Sequence, residues 1–284
     1  MARLAYVNGR YVPHARAMVH IEDRGYQFAD GVYEVVPVRH SRLVDEGPHL
    51  DRLANSLAAL QIAWPVNRPV LSLILRELLA RNGVADGLVY LQVTRGVAPR
   101  DHKFPAAVKA SLVITTRRTK PPPAALLAEG AHVITIADLR WKRCDIKSIA
   151  LLPNVLGKQQ AAEAGAYEAW QVSDDGMVTE GTSTNAWIVT ADGLLVTRQA
   201  DRAILAGITR LGLLRLLKEH GMGLAERPFS VAEAKVAREA FLTSSTNFVL
   251  PVTRIDGQPV ADGRPGALAR RLRQLYVDGV VEAM

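Results

Sequence analysis

A chain of 284 residues, 49% apolar and 22% charged, has room for two ordinary domains with separate cores and lacks the composition of a disordered or fibrous protein. Its one cysteine excludes an intrachain disulfide, and no apolar run has signal-peptide or membrane-spanning length, so the expectation is a cytoplasmic protein with no membrane partner. A formal charge of +7 raises nucleic acid as a partner, but the basic residues are scattered without a dense tract, and the expected partners are small anions instead.

In chain order, Leu4–Val7 and Arg10–Val12 flank Asn8-Gly9, the pattern of a tight hairpin. Gly31–Val38 reads as a strand in which Pro37 marks an edge or a bulge. Leu50, Leu53, Leu57 and Leu60 recur at helical spacing, and a second helix fits Val70–Arg81 with Asn82-Gly83 as its stop. Leu88–Thr94 and Ala110–Thr115 return to strand character. Lys120-Pro121-Pro122-Pro123 then makes a stiff connection, which divides the chain into a domain over 1–119, a linker at 120–124 and a second domain over 125–284 that carries Lys147. There, His132–Ala137 reads as a strand, Val155–Ala164 as a helix stopped by Gly165, and 169–172, 186–189 and 194–196 as strands. A helix opens at Gly207 and runs to His220-Gly221. Phe241–Thr243 is a short helix or strand, and a last helix starts near Pro265. Strands and helices do not alternate strictly enough for a doubly wound sheet, so the expected class is two α+β domains.

The motifs of common nucleotide, zinc and hydrolase sites are missing: Gly157-Lys158 lacks the rest of a phosphate loop, and there is no dinucleotide fingerprint, zinc-ligand cluster or nucleophile elbow. Four other stretches carry chemistry only in combination. Trp141–Ser148 places Lys147 just beyond a strand. Met177–Asn185 places Glu180 in a hydroxyl-rich turn. Gly207-Ile208-Thr209-Arg210 opens a helix whose free N–H groups suit a phosphate, and Thr243–Asn247 offers four hydroxyls in a row. Each alone reads as well or better as surface, as a polar turn or as an ordinary helix start. A loop, Arg95–Pro105, adds Arg100 and His102, and arginine is the side chain shaped to hold a carboxylate by two hydrogen bonds. One ligand would unite them, with a phosphate, a protonatable ring nitrogen and a carbonyl open to a lysine: pyridoxal 5′-phosphate (PLP).

Glu22–Val35, Arg143–Ser148 and Glu180–Asn185 resemble the fold-type IV PLP aminotransferases, and within them the D-amino acid aminotransferases, through Arg24–Phe28 and Pro99–Pro105. The resemblance runs nearly end to end, from Asn8-Gly9 to Ile255-Asp256-Gly257. It implies a two-domain α+β fold and transamination between D-amino acids and 2-oxo acids by a ping-pong mechanism. It also implies that Lys147 anchors the cofactor and later moves the substrate proton. Glu180 corresponds to the partner of the pyridine nitrogen, and Arg52, Ile208, Thr209 and Ser245 to the phosphate ligands. Tyr33, Arg100 and His102 correspond to the trap for the substrate α-carboxylate. In the family the arginine and histidine of that trap reach in from the neighbouring subunit, which implies a homodimer. Ala29, where a glycine is common, and Leu151–Asn154 depart from the family's best-known pattern. Branched-chain aminotransferases, R-selective amine transaminases and aminodeoxychorismate lyase share the scaffold and stand as alternatives. A basic binding protein with a decayed cofactor site is the non-enzymatic one.

Overall fold

A computed structural model describes residues 3–282; residues 1–2 and 283–284, the outermost ends of the two expected domains, lie outside the described residues. Contacts divide the chain into two compact units. The first runs to Lys120 and adds Ile146–Ala150, and the second comprises Pro121–Asp145 and the chain from Leu151 onward.

In the first unit β1 (Leu4–Val7) and β2 (Arg10–Pro13) form the expected hairpin, with Asn8 at φ 45° and Gly9 at φ 94° in the left-handed region that a two-residue turn requires. A short α1 (Arg24–Phe28) follows, capped by the Asp23 carboxylate, which accepts from the Gly25 N–H. Then come β3 (Gly31–Arg39), β4 (Arg42–Leu43), α2 (Glu46–Ala59), α3 (Arg68–Asn82), β5 (Gly87–Thr94) and β6 (Ser111–Arg118). The strands form one antiparallel sheet in the order β2-β1-β6-β5-β3-β4. Pro37 pairs with Leu88 of β5, but its carbonyl accepts from the Val44 N–H on the opposite side of β3, where only the two-residue β4 lies, so its missing N–H removes little from the ladder. On α2, His49, Leu50, Arg52, Leu53, Ser56 and Leu57 are buried, the spacing of one helix face. Its leucines and those of α3 pack on Val32, Val36, Val89, Leu91 and Val93 of the sheet, each fully buried leucine contributing about 1.5–3 kcal/mol. α3 begins two residues before Val70, because Asn67 caps it by accepting from the Val70 N–H and Pro69 is tolerated in the first turn.

The second unit contains α4 (Ala124–Glu129), β7 (Ala131–Ala137), α5 (Leu152–Glu163), β8 (Glu168–Val172), β9 (Val178–Gly181), β10 (Asn185–Val189) and β11 (Leu195–Thr197). It continues with α6 (Ile208–Glu219), β12 (Leu224–Glu226), α7 (Val231–Lys235), β13 (Glu239–Ser244), β14 (Phe248–Ile255), β15 (Gln258–Pro259) and α8 (Ala267–Tyr276). Its sheet runs β12-β11-β10-β13-β14-β7-β8-β9, with β15 on β14 and parallel pairs at β11–β12, β14–β7 and β7–β8. Trp187 stacks on Phe241 at 5.4 Å and Trp170 meets Phe229 edge-on, anchoring the core. Two local expectations change. Glu180 lies on a strand, β9, rather than in a turn, and α5 starts at Leu152 because Pro153 occupies its first turn.

Ile146–Ala150 belongs with the first unit, whereas the sequence reading puts Lys147 with residues 125–284. The Ile149 N–H donates to the Gly31 carbonyl, the Tyr33 N–H donates to the Lys147 carbonyl, and Val32 bridges Ser148, so this stretch lies antiparallel along the start of β3. Ile146 completes the attachment by entering the first unit's core. No described helix is long and apolar enough to cross a membrane.

Candidate active site

Lys147 is held by its backbone, which leaves the side chain to chemistry. Its N–H donates to the Ser56 hydroxyl of α2 at 3.1 Å, and its carbonyl accepts from Tyr33 at 3.0 Å. The Lys147 Nζ stands 4.3 Å from the centroid of the Tyr33 ring, which stacks on Tyr90 at 5.8 Å. The Tyr90 hydroxyl donates to Gln92, and burial first, then the Tyr33 ring's acidic hydroxyl, push its pKa up to about 12.

One turn before Ser56 on the same face of α2 stands Arg52. Its Nε and Nη2 donate to the two oxygens of Glu34, each at 2.8 Å, a bidentate pair that fixes the guanidinium plane. His49 shares that carboxylate, its Nδ1 2.7 Å from Oε2. Burial lowers the His49 pKa, and the Arg52 and Lys147 charges add to this against the pull of Glu34. The ring is therefore neutral at neutral pH, and Nδ1–H is the donor, because a carboxylate can only accept. Glu34 and His49 do not stand out in the sequence; a lone acid inside a strand is the available sign.

Arg100 and His102 are exposed, and Phe28 brings them together: the Arg100 Cζ lies 4.5 Å and the His102 ring 5.4 Å from its ring centroid. Tyr33 keeps company with Lys147 and Tyr90 instead.

In the second unit Glu180 is buried on β9 among donors. Arg140 Nη1 donates to its Oε1, Asn185 Nδ2 to its Oε2 at 2.9 Å, and the Leu205 N–H to both oxygens at 3.1–3.2 Å. Asp138 clamps Arg140 from the far side, at 2.9 Å to Nε and 2.7 Å to Nη2. Burial pushes the Asp138 carboxyl up, but the Arg140 hydrogen bonds and charge outweigh it and hold it below the usual range. Arg140 is a functional candidate that the sequence reading misses, its one legible sign being the acid–arginine spacing with Asp138; Asn185 closes the Glu180–Asn185 motif but has no role assigned to it there.

Asn185 also organises the phosphate-suited groups. Its backbone pairs with Thr243 of β13, so the turn 182–184 and the hydroxyls that follow β13, Ser245 among them, sit at the same end of neighbouring strands. An ideal Cβ at Gly207 would lie 2.1 Å from Asn185 Oδ1, so only glycine lets α6 start here. Ile208 and Thr209 form its first turn, where no side chain caps the free N–H groups. Glu168, fully buried, accepts from the Thr182 and Ser183 hydroxyls and holds that turn. The buried Thr184 hydroxyl has no hydrogen-bond partner among the described residues. In the second unit a buried acceptor, an uncapped helix start and a spare hydroxyl suit the ring nitrogen and phosphate of PLP; in the first unit the lysine suits an aldehyde. Cys144 is not part of this chemistry: burial, with the carboxylates of Glu180 and Asp138, pushes its thiol up to about 11 despite Arg140.

The chain matches the Amino-transferase class IV family over residues 31–255. It is 41% identical to a D-alanine aminotransferase of Listeria monocytogenes serotype 4b, covering 98% of this chain and 96% of the relative. It is 42% identical to the D-alanine aminotransferase of Bacillus licheniformis, covering 96% of each. Among solved structures, the branched-chain amino acid aminotransferase of Escherichia coli superposes with a TM-score of 0.90 at 22% identity, over 98% of this chain and 94% of that one. At that identity the likeness speaks for the fold alone.

Proposed function

The chain belongs to the class IV aminotransferases, and we propose that it exchanges amino groups between D-amino acids and 2-oxo acids, of the type D-alanine plus 2-oxoglutarate to pyruvate plus D-glutamate. The observation that carries the D-specific reading is the likeness, over nearly the whole length, to D-alanine aminotransferases. PLP, when bound, supplies an aldehyde for the amine and an electron-withdrawing ring that stabilises negative charge at the substrate Cα. Lys147 anchors it and carries the proton on Nζ; the backbone bonds to Ser56 and Tyr33 keep that side chain aimed while it works. Glu180 accepts from the ring N–H, and Arg140 with Asn185 hold its carboxylate in place. Arg52, the first turn of α6 at Ile208 and Thr209, and Ser245 hold the phosphate. Tyr33, Arg100 and His102 receive the substrate α-carboxylate, the latter two in the neighbouring subunit of a homodimer. A single cysteine with no disulfide fits a reducing compartment, and we place the activity in the cytoplasm.

A donor panel of D-alanine, D-glutamate, L-leucine and (R)-1-phenylethylamine, with 2-oxoglutarate as acceptor, tests the reading. D-donors should dominate by about tenfold or more over L-leucine. Preference for L-leucine or the amine would replace the substrate assignment. Release of pyruvate from aminodeoxychorismate without any acceptor would make it a lyase. Lys147→Ala should lose transamination and the visible absorbance of lysine-bound PLP.

A further inference from the structure

Arg24 is only 3% exposed, yet its guanidinium is directed at a surface loop. Its Nη1 donates to the carbonyl of Asp101 at 2.5 Å and its Nη2 to the carbonyl of His102 at 3.3 Å. Asp101 and His102 themselves are exposed. Those two carbonyls belong to the peptide planes on either side of the His102 Cα, so one planar fork restrains the backbone on both sides of that residue. Burying an arginine is unfavourable unless its charge is matched. Asp30 matches it, accepting from Arg24 Nε at 2.8 Å. Asp30 is in turn gripped by Arg95, through Nε at 2.7 Å and Nη2 at 3.0 Å, and Arg95 also donates to the carbonyls of Leu60 and Gln61. An exposed loop is thus tied by its main chain to a buried ionic frame. α1 supplies the other support as well, since Phe28 lies against both Arg100 and His102.

We propose that Arg24, seated on Asp30, is a positioning residue for substrate recognition: it sets the backbone from which Arg100 and His102 present themselves to the substrate carboxylate. The proposal rests on the reading of Arg100 and His102 as carboxylate ligands. A bidentate arginine–carboxylate contact tolerates little displacement, so a loop released from Arg24 loses affinity for carboxylates while the proton transfer at Lys147 is untouched. Lysine cannot substitute, because a single ammonium cannot span two carbonyls and the Asp30 carboxylate as the fork does.

The test is steady-state kinetics of the PLP-loaded enzyme, with bound-cofactor absorbance counting active sites. Arg24→Gln should raise KM for both D-alanine and 2-oxoglutarate by roughly ten- to a hundredfold and leave kcat within about threefold. Inhibition by propionate, a carboxylate that cannot react, should weaken by the same factor. Arg24→Lys keeps the charge beside Asp30 and should fall between the two; it carries the test if the glutamine variant does not fold. In a background that lacks both side chains it positions, Arg100→Ala with His102→Ala, Arg24→Gln should change KM by less than about twofold, because the partners through which it acts are gone. If Arg100→Ala raises KM and Arg24→Gln does not, the positioning role is wrong and the trap survives. If Arg24→Gln has its full effect in the background lacking both Arg100 and His102, or if it lowers kcat with KM unmoved, Arg24 acts elsewhere and the proposal is overturned. If Arg100→Ala itself leaves KM unchanged, the trap reading fails, and the proposal with it.

Discussion

Two titrating side chains near Lys147 tie its surroundings to pH. Burial alone would raise the pKa of Glu34; the Arg52 charge and the hydrogen bonds from Arg52 and His49 outweigh it and hold the carboxyl at about 2, against 4.5 in its ordinary state. A group lowered in the fold stabilises it fully above the unfolded value and loses that contribution as pH falls through the folded one. Glu34 therefore contributes about 3 kcal/mol, lost between pH 4.5 and about 2. His49, lowered from 6.5 chiefly by burial, acts in the same direction and begins to lose its share as pH drops below that value. Glu34→Gln leaves a buried guanidinium without its charge partner. Denaturant unfolding at pH 7 should show about 3–5 kcal/mol lost, and a flatter decline of the remaining stability below pH 4.5. A variant whose decline matches the parent's would show that another carboxylate governs acid unfolding. Cys144 gives a second check, because a thiol pushed up to about 11 is almost wholly protonated at pH 8. Iodoacetamide should leave the folded protein unmodified there and react once denaturant is added. Fast labelling of the native protein would contradict this assignment.

In the proposed site, the start of α6 is where an element, more than a side chain, would do the binding. Gly207→Ala would drive a methyl group onto Asn185 Oδ1 and displace the amide that donates to Glu180 and to the Leu205 carbonyl. Losing a hydrogen bond to a charged acceptor corresponds to roughly ten- to a hundredfold in affinity, so PLP should bind that much more weakly in an equilibrium titration. Unchanged affinity would separate Asn185 from the cofactor site. Elements with strong local signals are legible in the sequence: Asn8-Gly9 enforces its hairpin, and Gly83, at φ 57°, ends α3 where expected. α1 is not, because five residues carry no periodicity and the helix depends on the Asp23 cap and on Gly25 lying against Thr94. β9 is hidden for a similar reason, since its hydroxyls and acid look like a turn until neighbours bury them. Lys147 and Glu180 are legible as motif members. The membership of Lys147 in the first unit is not, because its backbone bonds go to Ser56 and Tyr33, far away in sequence. Arg24 is legible only as a member of the Arg24–Phe28 motif and Arg140 not at all, because what each does depends on partners that the fold supplies.

For the whole molecule, the proposed trap raises the question of whose active site the Arg100–His102 loop would serve. Within one chain the loop is held from below by Arg24 and Phe28, while its own side chains are exposed. If the carboxylate trap is supplied across a two-fold axis, as the family resemblance implies, an inactive variant and a KM-impaired one should rescue each other. Lys147→Ala lacks the anchor but keeps the loop, and Arg100→Ala lacks the trap but keeps the anchor. A mixed dimer then contains one site with an intact lysine and an intact trap, and one site lacking both. Random pairing of equal amounts puts about half of the molecules in mixed dimers, so about a quarter of all sites should recover activity at the parent's KM. A trap supplied within the same chain gives the opposite result, because each site in the mixed dimer still lacks one part. Co-expressing the two chains with different affinity tags and assaying the doubly tagged fraction distinguishes the cases. Activity near half the parent's per dimer, at parental KM, places the loop in the neighbour's site; activity no higher than the sum of the two variants returns it to its own.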